Sequence, residues 1–85
     1  MTEKIPETVI QEAAARLRQA APEASIILFG SYARGDFSQE SDLDFLVIEP
    51  APTHYQEEAV RLRAELRPLR VPVDIVVTDQ HTYQE

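Results

Sequence analysis

The sequence has no cysteine and only two glycines among its 85 residues. Without cysteine there can be no disulfide, no thiolate zinc site and no cysteine nucleophile, and this fits a reducing compartment, so we expect a cytoplasmic protein. No apolar run approaches the roughly 20 residues that a membrane helix needs, and the N-terminus lacks a signal-peptide pattern, so we expect no association with membranes. Aromatic residues make up only 7%, which predicts a core of Ile, Val, Leu and Ala.

Basic residues are also scarce. Eight lysines and arginines stand against fifteen acidic residues, and the formal net charge is −7. A field of this sign repels nucleic-acid phosphates, so no direct nucleic-acid binding is expected, and it favours a basic partner or a substrate that brings its own cations. Residues 1–85 have room for a single compact domain, which is compatible with a hetero-oligomer formed with such a partner.

Three short apolar runs predict strands, at residues 25–29, 43–48 and 71–77. The first run is rich in branched residues and predicts a strand that is buried on both faces. The second run is stopped by Pro50 and Pro52. These runs are separated by segments with turn or helix character, so they predict a sheet rather than one long element.

Apolar residues at helical spacing predict an amphipathic helix over residues 6–20, ended by Pro22. A second helix is predicted between the last two strands, where Thr53 and Gln56 can form a capping box and Pro68 lies near the end. Its predicted buried stripe comprises Tyr55, Ala59, Leu62 and Leu66. Because a crossover helix allows its flanking strands to lie parallel, the predicted fold class is α/β (α+β), a small mixed β-sheet with helices packed against it.

Both glycines fall in residues 30–35, directly after the first strand. A glycine in this place lets the backbone approach a ligand closely, and a following turn of helix would aim free N–H groups at a phosphate. Ser31 adds a hydroxyl donor and Arg34 a permanent charge, so Gly30, Ser31 and Arg34 are the candidate phosphate-binding residues. The alternative is structural, with Gly30 forming a tight turn and Ser31 capping a short helix.

Asp42 and Asp44 stand at the start of the second strand and are two residues apart, so their side chains emerge on the same face with Cα atoms about 7 Å apart. Two like charges there repel each other and lose hydration, and a hard cation removes both costs. Mg²⁺ is commonly held by one or two carboxylates plus a substrate phosphate. The alternative is that both aspartates are solvated at an exposed strand start.

Asp74 is the lone charge within the third apolar strand. If that strand lies beside the one that carries Asp42 and Asp44, Asp74 completes a triad that could ligate a second metal and accept the proton of an attacking hydroxyl. Such a site would support in-line displacement at phosphorus. The alternative is an edge-strand charge that discourages aggregation.

The pattern Gly30-Ser31, a gap of ten residues, Asp42-x-Asp44 and a later Asp74 resembles the signature of the DNA polymerase beta-like nucleotidyltransferase superfamily. Within it, the short length and the stretches FGSYARG (29–35) and SDLDFLV (41–47) resemble the minimal nucleotidyltransferases, or MNT proteins. The resemblance covers residues 26–77.

The resemblance implies a nucleotidyltransferase fold in which Gly30 and Ser31 contact a triphosphate, Asp42 and Asp44 bind Mg²⁺, and Asp74 takes the third acidic position. It also implies an antitoxin that is paired with a HEPN-type ribonuclease toxin and transfers AMP from ATP to a tyrosine hydroxyl of that toxin. Two other functions stay open. The chain could neutralise a toxin by binding alone, or it could transfer a nucleotide to a small molecule, although related enzymes of that kind usually need a further domain for the acceptor.

Overall fold

The computed structural model describes residues 5–37, 41–50 and 54–81. The elements in chain order are α1 (Glu7–Ala20), β1 (Ser25–Phe29), α2 (Ser31–Arg34), β2 (Leu43–Glu49), α3 (Tyr55–Glu65), a 3₁₀ turn (Arg67–Leu69) and β3 (Val73–Asp79). The predicted order of helices and strands is confirmed, and α2 is the turn of helix expected after Gly30. No helix in the described ranges is both long and apolar enough to cross a membrane.

The three strands form one mixed sheet in the order β1-β2-β3. Strand β1 pairs antiparallel with β2, and β2 pairs parallel with β3, as the crossover helix predicted. This topology brings the end of β1, at Phe29, to the same edge of the sheet as the beginnings of β2 and β3, at Leu43 and Val73. We call this side of the sheet, which is formed by strand ends and not by an outer strand, the carboxylate edge, because the predicted aspartates lie there.

The two faces of the sheet differ in character because successive strand residues point to opposite sides. The core face is packed by helices α1 and α3, and its fully buried side chains include Leu43, Phe45, Val47, Leu17 and Leu62. Asp44 and Asp74 occupy the opposite face, together with Val76, which is 43% exposed. Helix packing therefore fixes the sheet from one side and leaves the aspartates accessible on the other.

Two details of the predicted packing are wrong. Strand β1 is not buried on both faces, since Ser25 and Phe29 are exposed and the residues between them are only half-buried. The physical reason is that α1 and α3 pack against one face of the sheet, and that β1 has a neighbouring strand, β2, on one side only. Tyr55 does not join the buried stripe of α3, because the residue is 40% exposed and its hydroxyl donates a hydrogen bond to Asp79. Thr53, the predicted helix cap, lies outside the described residues.

At the edge of the sheet opposite the carboxylate edge, Glu49 ends β2 and faces Glu58 and Arg61 of α3. These three side chains line a cavity of about 320 Å³. Arg61 donates two hydrogen bonds to Glu58, with distances of 2.9 and 2.7 Å, and these lower the pKa of Glu58 to about 2. Burial, followed by the nearby Glu58 carboxylate, raises the pKa of Glu49 to about 7.

The Oε2 atom of Glu49 is buried and has no hydrogen-bond partner in the described part of the chain. A protonated Glu49 can donate to the Glu58 carboxylate, whereas an ionised Glu49 is left buried beside a like charge. The folded protein therefore holds this proton more tightly than the unfolded chain, where the pKa has its ordinary value of 4.5. The resulting stabilisation is complete below that value and is lost as the pH rises through about 7.

We predict that the free energy of unfolding falls by on the order of 1 kcal/mol between about pH 5.5 and pH 8.5 through this group. Glu49→Gln should flatten that dependence, because the Gln amide donates to Glu58 at every pH. Urea unfolding of both proteins across the range measures the effect. Glu65→Gln is the matched control, since Glu65 is an exposed residue of α3, the helix that carries Glu58. This variant should keep the wild-type dependence of unfolding free energy on pH. Equal slopes in wild type and Glu49→Gln would contradict the prediction.

Candidate active site

The three predicted carboxylates come together at the carboxylate edge. Asp44 of β2 pairs in register with Asp74 of β3. Their side chains therefore leave the same face of the sheet from neighbouring strands, whose backbones lie about 4.8 Å apart. Asp42 lies two residues before Asp44 and is exposed at the entry to β2. The condition on which the triad depended, that the third strand lies beside the second, is therefore met.

Asp44 is the central member of this group. Partial burial raises the pKa of Asp44, and the negative charges of Asp74 and Asp42 raise it further, while Arg34 acts in the opposite direction. These effects show that all three charged neighbours lie within electrostatic reach of one carboxylate. A cluster of neighbouring carboxylates attracts a cation, because the cation offsets their mutual repulsion.

The turn after β1 is built around the close approach of Gly30 to Asp44. Gly30 has φ 79° and ψ −158°, a backbone conformation that is essentially restricted to glycine. A Cβ atom at this position would lie 2.2 Å from Oδ2 of Asp44. The glycine is therefore required both by its backbone angles and by the neighbouring carboxylate, and it brings the β1 turn against the centre of the site.

Helix α2 begins at Ser31, and its first N–H groups have no acceptor within the helix. The turn is held in place through Tyr32, whose hydroxyl accepts a hydrogen bond from the Ile5 N–H at 3.2 Å. The Tyr32 ring also packs edge-on against Phe37, with ring centres 4.5 Å apart. These contacts tie the turn to both flanking segments, so the backbone next to Asp44 is fixed by aromatic packing.

Arg34 ends α2 on the β1 side of the aspartates. Its Nε donates to Oδ2 of Asp36 at 3.2 Å, and both side chains are largely exposed. An exposed pair of this kind is weak, so the guanidinium is readily available to a second anion. The structure thus places Arg34 beside the site, as the sequence predicted, while its contact with a phosphate stays a prediction.

Arg63 is a residue near the site that the sequence analysis missed. It comes from the last turn of α3, and its Nη2 lies 3.5 Å from Oδ1 of Asp74. One signal in the sequence could have pointed to it, namely the concentration of four arginines within residues 61–70. Its partner could not be read from the sequence, because the contact depends on how α3 lies against β3.

The residues present suit a divalent cation that shares its ligands with a substrate. No three acidic, histidine or cysteine side chains in the described ranges converge closely enough to hold a metal by themselves. Mg²⁺ does not require such a cage, since it usually keeps several waters and takes one or two carboxylates together with substrate phosphate. Asp42 and Asp44 would supply those carboxylates, and the partly buried, mutually repelling charges at Asp44 would be relieved by the ion.

Comparison with known families and structures agrees with this geometry. Residues 10–84 match the family model described as nucleotidyltransferase domain. The chain belongs to this family. The match includes every element that forms the site, from the β1 turn to β3, and it agrees with the resemblance to minimal nucleotidyltransferases.

Two curated relatives of this nucleotidyltransferase domain come from Methanocaldococcus jannaschii, and each is named a "putative protein adenylyltransferase". One is 70% identical over 23 residues, which cover 27% of this chain and 23% of the relative. The other is 47% identical over 36 residues, which cover 41% of this chain and 36% of the relative. The matched segments therefore span well under half of either relative.

A solved structure has the same fold. The crystal structure of a "putative nucleotidyltransferase" from Sulfolobus solfataricus superposes with a TM-score of 0.68 at 23% identity, covering 91% of this chain and 69% of that chain. The predicted fold class, a small mixed sheet with helices packed against it, is thereby confirmed.

We predict that Gly30→Ala costs about 2 to 3 kcal/mol of unfolding free energy, because it adds a steric conflict with Asp44 to the strain of a glycine-only backbone conformation. Gly35→Ala is the matched control. Gly35 also has a positive φ, of 86°, but a Cβ there meets nothing within 4 Å, so only the cost of the backbone angle, about 1 kcal/mol, is expected. Urea unfolding measures both.

A double-mutant cycle separates the two contributions at Gly30. If the Asp44 carboxylate is the obstacle, Asp44→Ala should recover part of the loss caused by Gly30→Ala and none of the loss caused by Gly35→Ala. Purely additive effects at Gly30 and Asp44 would show that the carboxylate is not what requires a glycine there.

Proposed function

We propose that this domain is the antitoxin of a HEPN/MNT toxin–antitoxin pair and transfers AMP from ATP to a tyrosine hydroxyl of the toxin, with Mg²⁺ as cofactor. The observation that carries the proposal is the register of β2 and β3, which sets Asp44 beside Asp74 and next to the Gly30 turn. Membership of the nucleotidyltransferase family and two relatives named as protein adenylyltransferases support it.

The proposed reaction is an in-line displacement at phosphorus. The tyrosine oxygen attacks the α-phosphorus of ATP, a new phosphorus–oxygen bond forms, and the bond to the β-phosphate breaks to release pyrophosphate. Ser31 and the free N–H groups at the start of α2, with Arg34, hold the leaving phosphates. Asp74 accepts the proton of the tyrosine hydroxyl. Mg²⁺ bound by Asp42 and Asp44 would offset charge on the phosphates during transfer.

A second candidate function is a stoichiometric antitoxin that binds the toxin and does not modify it. The observation that favours it is the contact of Arg63 with Asp74, because a resident cation at the third carboxylate weakens its attraction for a metal. The net charge of −7 suits docking on a basic ribonuclease under either function. Cytoplasmic location is part of the same proposal, since toxin and antitoxin must meet.

Intact mass spectrometry of a co-expressed HEPN-type partner, incubated with ATP and Mg²⁺, separates the two functions. We predict a mass gain of one or more AMP units with wild type. With Asp42→Asn or Asp44→Asn, the rate of transfer should fall by at least about 100-fold, the scale expected when a charge-stabilising group is lost. Asp79→Asn is the matched control, since Asp79 lies at the opposite end of β3, and it should retain activity.

Removal of Mg²⁺ by EDTA should abolish the mass gain in wild type, because the two carboxylates then repel the triphosphate. An unmodified partner that still binds the wild-type chain and is still inhibited would overturn the proposal of AMP transfer and establish the stoichiometric antitoxin.

A further inference from the structure

The basic residues of this acidic chain are unevenly distributed. Four of its eight lysines and arginines, Arg61, Arg63, Arg67 and Arg70, fall within ten residues that contain a single acidic residue, Glu65. The rest of the chain is strongly acidic. Arg61 pairs with Glu58 and Arg63 pairs with Asp74, so Arg67 and Arg70 are the arginines of this segment whose role is left to be explained.

These arginines lie at the carboxylate edge because of the direction of α3. The helix starts at Tyr55, near the end of β3, and runs back toward the start of that strand. Arg63 reaches Asp74 from its last turn. Arg67 lies one turn further on, and together with Arg63 it lines a shallow cavity of about 210 Å³ beside Val73.

The side chains of Arg67 and Arg70 are the remaining basic groups of this segment. Both are exposed, and neither forms an ion pair with a residue of these ranges. Arg70 sits in the turn that leads into β3 and has a positive φ of 56°. Arg67, which lines the cavity, and Arg70, in the turn that follows, therefore present guanidinium groups without an ion-pair partner among the described residues. The planar guanidinium is well suited to binding external carboxylates.

The strand order determines which reactant comes near them. In the proposed reaction, the leaving pyrophosphate is held on the β1 side, at Ser31 and Arg34. Because attacking and leaving oxygens lie roughly in line through the phosphorus, the acceptor must approach from the opposite side. In the order β1-β2-β3 that side is β3, where Asp74 and these arginines lie.

We propose that Arg63, Arg67 and Arg70, which we call the arginine surface, recognise acidic residues that flank the acceptor tyrosine of the partner protein. This inference rests on the proposed function, since it names the acceptor that the same site would take. The arginine surface holds the flanking carboxylates while the tyrosine hydroxyl reaches Asp74.

The limited size of the arginine surface favours an acidic peptide segment over a polynucleotide. Three guanidinium groups can pair with two or three carboxylates of a short segment. A polynucleotide that is long enough to gain affinity from several phosphates would run from this surface onto the acidic remainder of the chain, where it is repelled.

The test uses three synthetic peptides that each contain one tyrosine, flanked by glutamate, by glutamine or by lysine, and a single-stranded oligouridine. Each is titrated into isotope-labelled protein, and amide shifts in two-dimensional NMR spectra report the site and the affinity even when binding is weak. We expect the glutamate peptide to shift residues 63–74, with affinity that falls as salt is added. Arg67→Glu should weaken this binding about fivefold, since it replaces attraction with repulsion.

Arg18→Glu is the matched control, because Arg18 is exposed in the last turn of α1 and changes the net charge equally. It should alter the affinity by less than about twofold. Equal binding of the glutamate and glutamine peptides, no binding, or shifts confined to other residues would overturn the proposal. Tighter binding of oligouridine at the same residues would overturn it in favour of a nucleic-acid surface.

A transfer assay with ATP and Mg²⁺ on the same peptides separates this proposal from the proposed function. Preferential AMP transfer to the glutamate peptide, lost in Arg67→Glu, supports both. If the glutamate peptide binds the arginine surface but is not modified, and the intact partner is not modified either, the proposed transfer fails while the acidic docking surface stands. Transfer at equal rates to all three peptides would retain the transferase and overturn the arginine surface.

Discussion

The Gly30 backbone approaches the Asp44 carboxylate so closely that a Cβ at Gly30 would lie 2.2 Å from Oδ2, and this approach sets the positions of the groups around it. Phe29 pairs with Asp44 in the antiparallel ladder, so the residue that follows Phe29 must turn directly over the carboxylate. Only a residue without a Cβ fits there. The same turn starts α2 and so positions Ser31 and Arg34. The proposed phosphate-binding residues and the proposed metal ligand Asp44 are therefore positioned relative to each other by the Gly30 turn.

The mixed strand pairing brings the charged groups of different strands to one side of the sheet. Because β1 runs against β2 while β3 runs with it, the end of one strand and the starts of two others share an edge. Charged side chains can gather there because each strand meets solvent at that point, whereas the middles of β2 and β3 are packed against α1 and α3. The opposite edge carries Glu49 and Glu58, a separate carboxyl pair that affects stability.

The sequence allowed the order of elements, the parallel pair and the grouping of Asp42, Asp44 and Asp74 to be predicted, because each depends on local pattern and on the length of the crossover. Which strand is central could not be predicted. Strand β1 has the composition of a buried strand, but it lies at an edge and is only half covered. Composition reports how apolar a segment is, whereas its coverage depends on neighbours that are distant in the sequence.

The charges of Arg34 and Arg63 lower the electrostatic cost of gathering three carboxylates in one place. Three neighbouring carboxylates repel one another, and Arg34, on the β1 side, and Arg63, on the β3 side, offset part of that cost. The Arg63 and Asp74 side chains are 53% and 55% exposed, so their pairing contributes little, in the range of about 0 to 1 kcal/mol. A contact this weak can be exchanged for another anion at low cost. The same arginine can thus compensate Asp74 in the free protein and turn toward an incoming carboxylate when an acceptor arrives.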